Sequence, residues 1–120
     1  PIANLKGKFL MGASSPATPL PSPVITFEGL IIQAISLPGH SINQTGYVCD
    51  RVFFCADTVF PKEIIEKYGL LYCFDVDSQK KTLQSLMKPH PYKMVVPCHA
   101  RPRQNISLLA EENLQHMEAV

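Results

Sequence analysis

The sequence lacks the features that mark several common classes of protein. Its four cysteines, at positions 49, 55, 73 and 98, contain no Cys-x-x-Cys pair of the kind found in zinc knuckles and redox sites. No run approaches the roughly 20 apolar residues that cross a bilayer. The densest basic clusters, Lys80-Lys81 and Arg101-Pro-Arg103, are too short to form a nucleic-acid or membrane surface. We therefore expect no nucleic-acid partner and no membrane partner.

The expected state of the cysteines favours a cytoplasmic protein. No signal peptide is visible, so we expect reduced thiols. Cys49 and Cys55 flank a predicted hairpin and Cys98 follows an apolar strand, so each is expected to be a small buried residue.

The composition indicates one folded domain. The chain has 120 residues, is 46% apolar and carries a formal net charge of +1. Residues 1–22 are rich in proline and glycine and are expected to form an extended lead-in, with a short strand possible at Lys8–Met11. Residues 23–120 are expected to form the folded part.

Patterns of apolar residues and turn signals predict five strands and three helices. The predicted strands are Val24–Phe27, Leu30–Leu37, Gly46–Cys49, Val52–Cys55 and Lys93–Val96. The predicted helices are Lys62–Tyr68, a segment capped by Asp77 or Ser78 that ends near Lys88, and a segment capped by Ser107 that runs to the C-terminus. The continuous apolar character of the second strand suggests burial on both faces. The order predicts an α/β fold, a mixed sheet with helices packed on one face.

Three potential metal ligands follow predicted strands. His40 lies in a turn after the second strand, Asp57 follows the fourth, and His99 follows the fifth. Imidazole and carboxylate suit zinc, iron and manganese, and strand ends hold side chains firmly while leaving room for substrate. Taken singly, each has an ordinary alternative role, as a turn residue or a helix cap. Together they predict a metal site.

The sequence gives weaker indications of a role at this site for nearby hydroxyl groups and for the other histidines. Ser41 and Thr58 are predicted to orient the ligands through hydrogen bonds. His90 lies between two prolines and is expected in a loop, and His116 is expected to face solvent from the last helix. No further catalytic residue is predicted.

Three motifs in this order resemble those of the metallo-β-lactamase superfamily. Pro38-Gly39-His40-Ser41 resembles the family's third motif. Phe54–Phe60 resembles the fourth, in which glycine usually stands where this chain has Ala56. Val96–Ala100 resembles the fifth, which is usually Pro-Gly-His-Gly. The resemblance covers roughly residues 22–118.

The resemblance implies roles for the three ligands. His40 would bind a first metal, Asp57 would bridge two metals, and His99 would bind the second. The metals are zinc, with iron or manganese possible. A hydroxide held between them would attack an ester, thioester, lactone, lactam or phosphodiester.

The family's His-x-His-x-Asp-His motif is absent, because no histidine precedes His40. The chain is therefore expected to be the C-terminal half of an αββα metallo-β-lactamase sandwich. Three ligands divided over two metals cannot complete either site. We expect the chain alone to bind metal weakly and to be inactive, although its intact parent would be a metal-dependent hydrolase of a small-molecule substrate.

A half-sandwich would also expose an apolar sheet face, so we expect a homodimer that buries this face. The alternative function is a non-catalytic structural or interaction domain with vestigial ligands. The segment Tyr68–Phe74 is a candidate for the substrate side, although its aromatic residues are more typical of a core.

Overall fold

Four strands form an antiparallel meander, and a fifth strand joins its last member in parallel. The computed structural model describes residues 22–69 and 72–119, so the possible strand at Lys8–Met11 lies outside it. The strands are β1 (Val24–Phe27), β2 (Leu30–Ser36), β3 (Thr45–Cys49), β4 (Val52–Ala56) and β5 (Met94–Pro97). Their order in the sheet is the order in the sequence.

Two tight turns set the register of the meander. Glu28 and Gly29 join β1 to β2, and Asp50 and Arg51 join β3 to β4. All four residues have positive φ, between 48° and 82°. Two-residue turns of this handedness match the twist of antiparallel strands, which explains the close pairing on both sides of each turn. These hairpins confirm the sequence prediction.

The described residues also form three helices, α1 (Lys62–Tyr68), α2 (Val76–Leu86) and α3 (Ile106–Ala119). The predicted caps of α2 and α3 were wrong. The Asp75 carboxylate accepts hydrogen bonds from the N–H groups of Asp77 and Ser78, so the cap lies earlier in the chain than predicted. Asn105 plays the same part for α3, accepting from the N–H of Leu108.

Ser107 has a different role from the cap predicted for it. Its hydroxyl donates to the carbonyl of Leu86, where α2 ends, and so ties the two helices together. Helix α2 ends at Leu86, two residues from the expected end near Lys88.

The core lies between one face of the sheet and the helices. Phe53 and Cys55 from β4 and Val95 from β5 are fully buried, as is Leu83 from α2. Helix α3 adds an apolar stripe at helical spacing. The remaining members are Leu37, Val59, Ile106, Leu109, Ala110 and Leu114. A mixed α/β fold with helices on one face is thus confirmed.

The opposite face of the sheet is apolar, and no helix within residues 22–69 and 72–119 covers it. We call it the outer sheet face. Paired residues of neighbouring strands share a face, and two rows of pairs cross four strands here. These residues are Ile32, Ala34, Tyr47, Cys49, Val52, Phe54, Met94 and Val96. The predicted burial of β2 on both faces was wrong, because most of its residues are exposed or half-buried and the described helices lie on the inner face.

No helix within residues 22–69 and 72–119 combines the length and the apolar character needed to cross a membrane.

The Asp75 cap gives a first test. Its hydrogen bonds with Ser78 are the largest cause of its lowered pKa, which falls from an ordinary value of 3.8. We expect Asp75→Ala to lower the urea midpoint of unfolding at neutral pH. Because the folded pKa is depressed, this difference from the wild type is full above the ordinary pKa and disappears as pH falls through the folded value.

Asp77→Ala is the matched control, since Asp77 lies in the first turn of α2 but supplies no cap. An equal loss of stability in the two variants would contradict the assignment of Asp75 as the cap.

Candidate metal centre

The parallel pairing of β4 and β5 brings two of the predicted ligands together. Ala56 pairs with Pro97 across a bulge, and the N–H of Cys98 donates to the carbonyl of Ala56 at 3.2 Å. Parallel neighbours end at the same edge of a sheet, so Asp57 and His99 leave their strands side by side. The observed closeness of these residues follows from strand pairing alone.

The third ligand is held by helix α2. The carbonyl of Gly39 accepts hydrogen bonds from the N–H groups of Phe74 and Asp75, at 2.8 and 3.0 Å, just before the helix begins. The hydroxyl of Thr82 donates to the carbonyl of Pro38 at 2.6 Å. The turn that carries His40 therefore lies against a rigid element and not in a free loop.

The imidazole of His40 is oriented by a backbone carbonyl. Its Nδ1 lies 2.9 Å from the carbonyl oxygen of Tyr72. A carbonyl oxygen can only accept, so Nδ1 must carry a proton, and in the neutral ring Nε2 then has a free lone pair. The rings of Tyr72 and Phe60 pack against the imidazole. A metal-binding histidine is commonly oriented in this way.

Asp57 lies between the two imidazoles. Its Oδ2 is 3.5 Å from Nε2 of His40, and its Oδ1 is 3.1 Å from Nε2 of His99. His40 and Asp57 are each about three-quarters buried, whereas His99 is mostly exposed. Each carboxylate oxygen thus faces a different histidine.

Two features of this arrangement fit a metal. The buried Oδ1 of Asp57 has no hydrogen-bond partner, although Nε2 of His99 lies 3.1 Å away. The lone pair of His40 Nε2 faces another acceptor, which requires a proton or a cation between them. Two ligands of one tetrahedral zinc lie roughly 3.3 Å apart, and the two separations of 3.1 and 3.5 Å bracket this value.

The three side chains nevertheless do not surround one point. In the described part of the chain, no group of three or more His, Cys, Asp and Glu side chains is arranged to hold a metal ion. The pairwise geometry accounts for this, because Asp57 separates the histidines into two pairs. Such an arrangement suits two ions that share one carboxylate better than a single ion.

Comparison with solved structures gives consistent neighbours at low sequence identity. A metallo-β-lactamase from Pontibacter korlensis has a TM-score of 0.74 and 16% identity, with 98% of this chain covered. A metallo-β-lactamase family protein from Thermus thermophilus has a TM-score of 0.68 and 18% identity, with 87% covered. An archaeal superfamily protein from Sulfolobus tokodaii has a TM-score of 0.58 and 18% identity, with 79% covered.

The chain has the metallo-β-lactamase fold. It spans 55% of the Pontibacter chain and 36% of each of the other two, which agrees with the expectation of a half-length part of that fold. No protein-family model matches the sequence, and no curated protein matches it.

The backbone at Ala56 shows why glycine is usual at this position of the motif. Ala56, which stands where the family usually has glycine, has a φ of +53°. Side chains are strained in this region and glycine is not, so the backbone before Asp57 makes the turn that favours glycine. The alanine keeps this turn at a conformational cost.

Sequence reasoning missed the residue that holds Asp57. The buried side chain of Gln44 accepts from the N–H of Asp57 at 3.1 Å and donates to the hydroxyl of Thr58 at 2.8 Å. It also donates to the carbonyl of Leu37 at 3.2 Å. Gln44 thus links the end of β2 to the end of β4. The only local signal was its position between His40 and the hairpin.

The predicted orienting role of Ser41 and Thr58 stays a prediction. Thr58 is fully buried and reaches Asp57 through Gln44. Ser41 is exposed, and its carbonyl accepts from the N–H of Gly39.

Two other predictions about histidines have clear outcomes. His90 lies in a loop, as expected, with its Nδ1 accepting from the N–H of Tyr92. His116 does not simply face solvent as predicted, because it is half-buried and its Nε2 is enclosed. The ring lines a pocket between α2 and α3.

The cysteines differ in burial, whereas the sequence predicted that Cys49, Cys55 and Cys98 are all buried. Cys55 is buried, and burial raises the pKa of its thiol to about 12, so it stays protonated and is a poor metal ligand. Cys49 is half-buried. Cys98 is exposed, so its predicted burial was wrong.

The aromatic residues of Tyr68–Phe74 are not part of the core. Tyr68, Tyr72 and Phe74 are all exposed, and Tyr72 contacts His40 through both its ring and its carbonyl. Tyr72 therefore borders the candidate metal centre, and the assignment of this segment to the substrate side stays a prediction.

Gly39 gives a second test. Its φ is +141°, and a Cβ there would lie 2.3 Å from Oε1 and 2.5 Å from Cα of Gln79. We expect Gly39→Ala to destabilise the protein by roughly 3–5 kcal/mol, because backbone strain and a clash with α2 act together. Urea unfolding measures the loss.

Gly69→Ala is the matched control, since Gly69 also has positive φ but has no atom within 4 Å of the added Cβ. It should lose only the strain, about 1–3 kcal/mol. Equal losses in the two variants would contradict the close packing of the His40 turn on α2.

Proposed function

We propose that the chain supplies part of the dinuclear metal centre of a hydrolase. The observation that carries this proposal is the Asp57 carboxylate, which lies between two imidazoles with one oxygen buried and unpaired. His40 would hold the first metal ion, His99 the second, and Asp57 would bridge them. Zinc is the preferred ion, with iron or manganese as alternatives.

The chain's own residues would position and balance the charge of the centre. The carbonyl of Tyr72 keeps Nδ1 of His40 protonated and its Nε2 available. Gln44 fixes the backbone from which the carboxylate extends. A pair of bound metal ions lowers the pKa of water and stabilises negative charge that develops on a substrate. The exposed His99 lies where a substrate could approach.

The proposed substrate is a small molecule with a bond that activated water can hydrolyse. An ester, thioester, lactone, lactam or phosphodiester all present a centre that activated water can attack, and a fold does not choose among them. The exposed Tyr72 and Phe74 border the centre and offer apolar contacts to a small molecule. The four free cysteines fit the proposed cytoplasmic location.

This chain alone is proposed to be inactive. It spans about a third to a half of its structural neighbours, and it brings only three ligands to a centre that needs about four for each ion. The remaining ligands would come from a part of the fold that these residues do not include.

Zinc titration by calorimetry tests the centre. We expect weak binding, with a dissociation constant above about 1 µM, because each ion would have only two protein ligands. His40→Ala and Asp57→Ala should remove the signal, and the chain should not hydrolyse a generic ester. His90→Ala is the control and should bind zinc like the wild type, since His90 lies in a separate loop.

Tight binding that survives His40→Ala and Asp57→Ala would contradict the proposed ligands. Loss of zinc binding in His90→Ala would show that the zinc site includes His90 and is not the proposed centre.

We also propose that the outer sheet face joins two copies of the chain. Its residues are apolar and carry no charge, so two such faces can pack without like-charge repulsion, about 10 Å apart as in other sandwiches. Phe54, at its centre, is 45% exposed. An interaction role for this face is the one feature that favours the alternative, non-catalytic function.

Light scattering tests the dimer. We expect the average molecular mass to rise towards that of a dimer as the protein concentration increases. Phe54→Ser should shift the chain to the monomer, because it removes a large apolar contact. Leu108→Ser is the control, because Leu108 is similarly exposed but lies on α3. A monodisperse monomer at high concentration would exclude the dimer.

A further inference from the structure

Helices α2 and α3 each hold the segment that follows Asp57 through a buried side-chain amide. Gln79 of α2 donates from Nε2 to the carbonyl of Thr58 at 2.8 Å. Asn113 of α3 accepts from the N–H of Phe60 at 2.9 Å and donates to its carbonyl at 2.8 Å. Both amide side chains belong to residues that are only 6% exposed. The helical layer therefore fixes the backbone beyond Asp57 at two points.

Gln79 also packs against the turn that carries His40. A Cβ built on Gly39 would lie 2.3 Å from Oε1 and 2.5 Å from Cα of Gln79, so this close approach requires glycine at position 39. Oε1 of Gln79 has no hydrogen-bond partner among the described residues and faces Gly39. One side chain of α2 thus touches the residue before His40 and, through its Nε2, the residue after Asp57.

Strand pairing alone cannot set the separation of His40 and Asp57. The two residues follow β2 and β4, and β3 lies between these strands in the sheet. Gln44 also joins the two strand ends, but it does so at Leu37, three residues before His40. Gln79 acts at the residue next to each ligand, so it is placed to control the 3.5 Å between Nε2 of His40 and Oδ2 of Asp57.

We propose that Gln79 is a positioning residue for the candidate metal centre, which sets the separation of His40 and Asp57. This inference rests on the proposed function, because the separation matters only if these two side chains bind metal. Gln79 acts through its hydrogen bond to Thr58 and its packing on Gly39. Groups that orient metal ligands in this way commonly change metal affinity by about 10–100-fold when they are replaced.

Nuclear magnetic resonance of the full chain in EDTA gives the first readout. Gln79→Met keeps the length of the side chain and removes the Nε2 donor. We expect the ring nitrogen signals of His40 to shift, and those of His90, in a separate loop, to stay in place. A loss of stability alone would not move the His40 signals of the folded protein, so this readout separates positioning from a purely structural role.

Zinc titration followed by the same signals gives the second readout. We expect the zinc affinity of Gln79→Met to be about tenfold lower than that of the wild type. Ser107→Ala is the matched control, because the Ser107 hydroxyl also joins α2 to another segment through a backbone carbonyl, but at the C-terminal end of the helix. It should leave the His40 signals and the zinc affinity unchanged.

The proposal would be overturned if folded Gln79→Met kept the His40 signals or the zinc affinity of the wild type, or if Ser107→Ala changed them equally. Should Gln79→Met fail to fold, Gln79→Asn replaces it, since its amide is one methylene too short to reach Thr58 and the same changes are expected. If the wild type binds no zinc, the proposed centre fails, and the His40 signals in EDTA still decide whether Gln79 positions this side chain.

Discussion

The packing of the His40 turn on helix α2 is the constraint on which the site depends. The carbonyl of Gly39 accepts from two backbone N–H groups at the start of the helix, and Gln79 fills the space where any other residue at position 39 would place its Cβ. Because Asp75 also caps α2, the helix start and the ligand turn share one hydrogen-bonded junction. A rigid element thus sets the position of His40, as a preorganised site requires.

At Asp57, the backbone has its hydrogen bond satisfied while the side chain does not. Gln44 satisfies the backbone N–H of Asp57, whereas the carboxylate itself keeps an unpaired buried oxygen. Proteins concentrate such local violations at functional sites and compensate for them elsewhere. The surrounding core of Phe53, Cys55 and Val95 is fully buried and supplies that compensation.

Local sequence signals predicted the elements, and longer-range contacts explain what they missed. Two-residue turns and strand patterns predicted the hairpins, and three strand-end motifs predicted that His40, Asp57 and His99 belong together. The cap of α2 was misplaced because Asp75, Asp77 and Ser78 are all good capping residues and only the tertiary packing of Gly39 decides among them. Gln44 was missed because its three partners are distant in sequence. The apolar β2 was assigned to an interior because composition does not reveal which face has a covering layer.

The parallel pairing of β4 with β5 determines when the candidate site can form during folding. Strands β1 to β4 pair with sequence neighbours and can assemble locally, whereas β5 pairs with β4 only after the chain from 57 to 93, including α1 and α2, has folded back. Closing such a long loop is slow compared with forming a hairpin. Asp57 would therefore reach its folded position before His99 joins it, and the two halves of the candidate centre would form at different stages of folding.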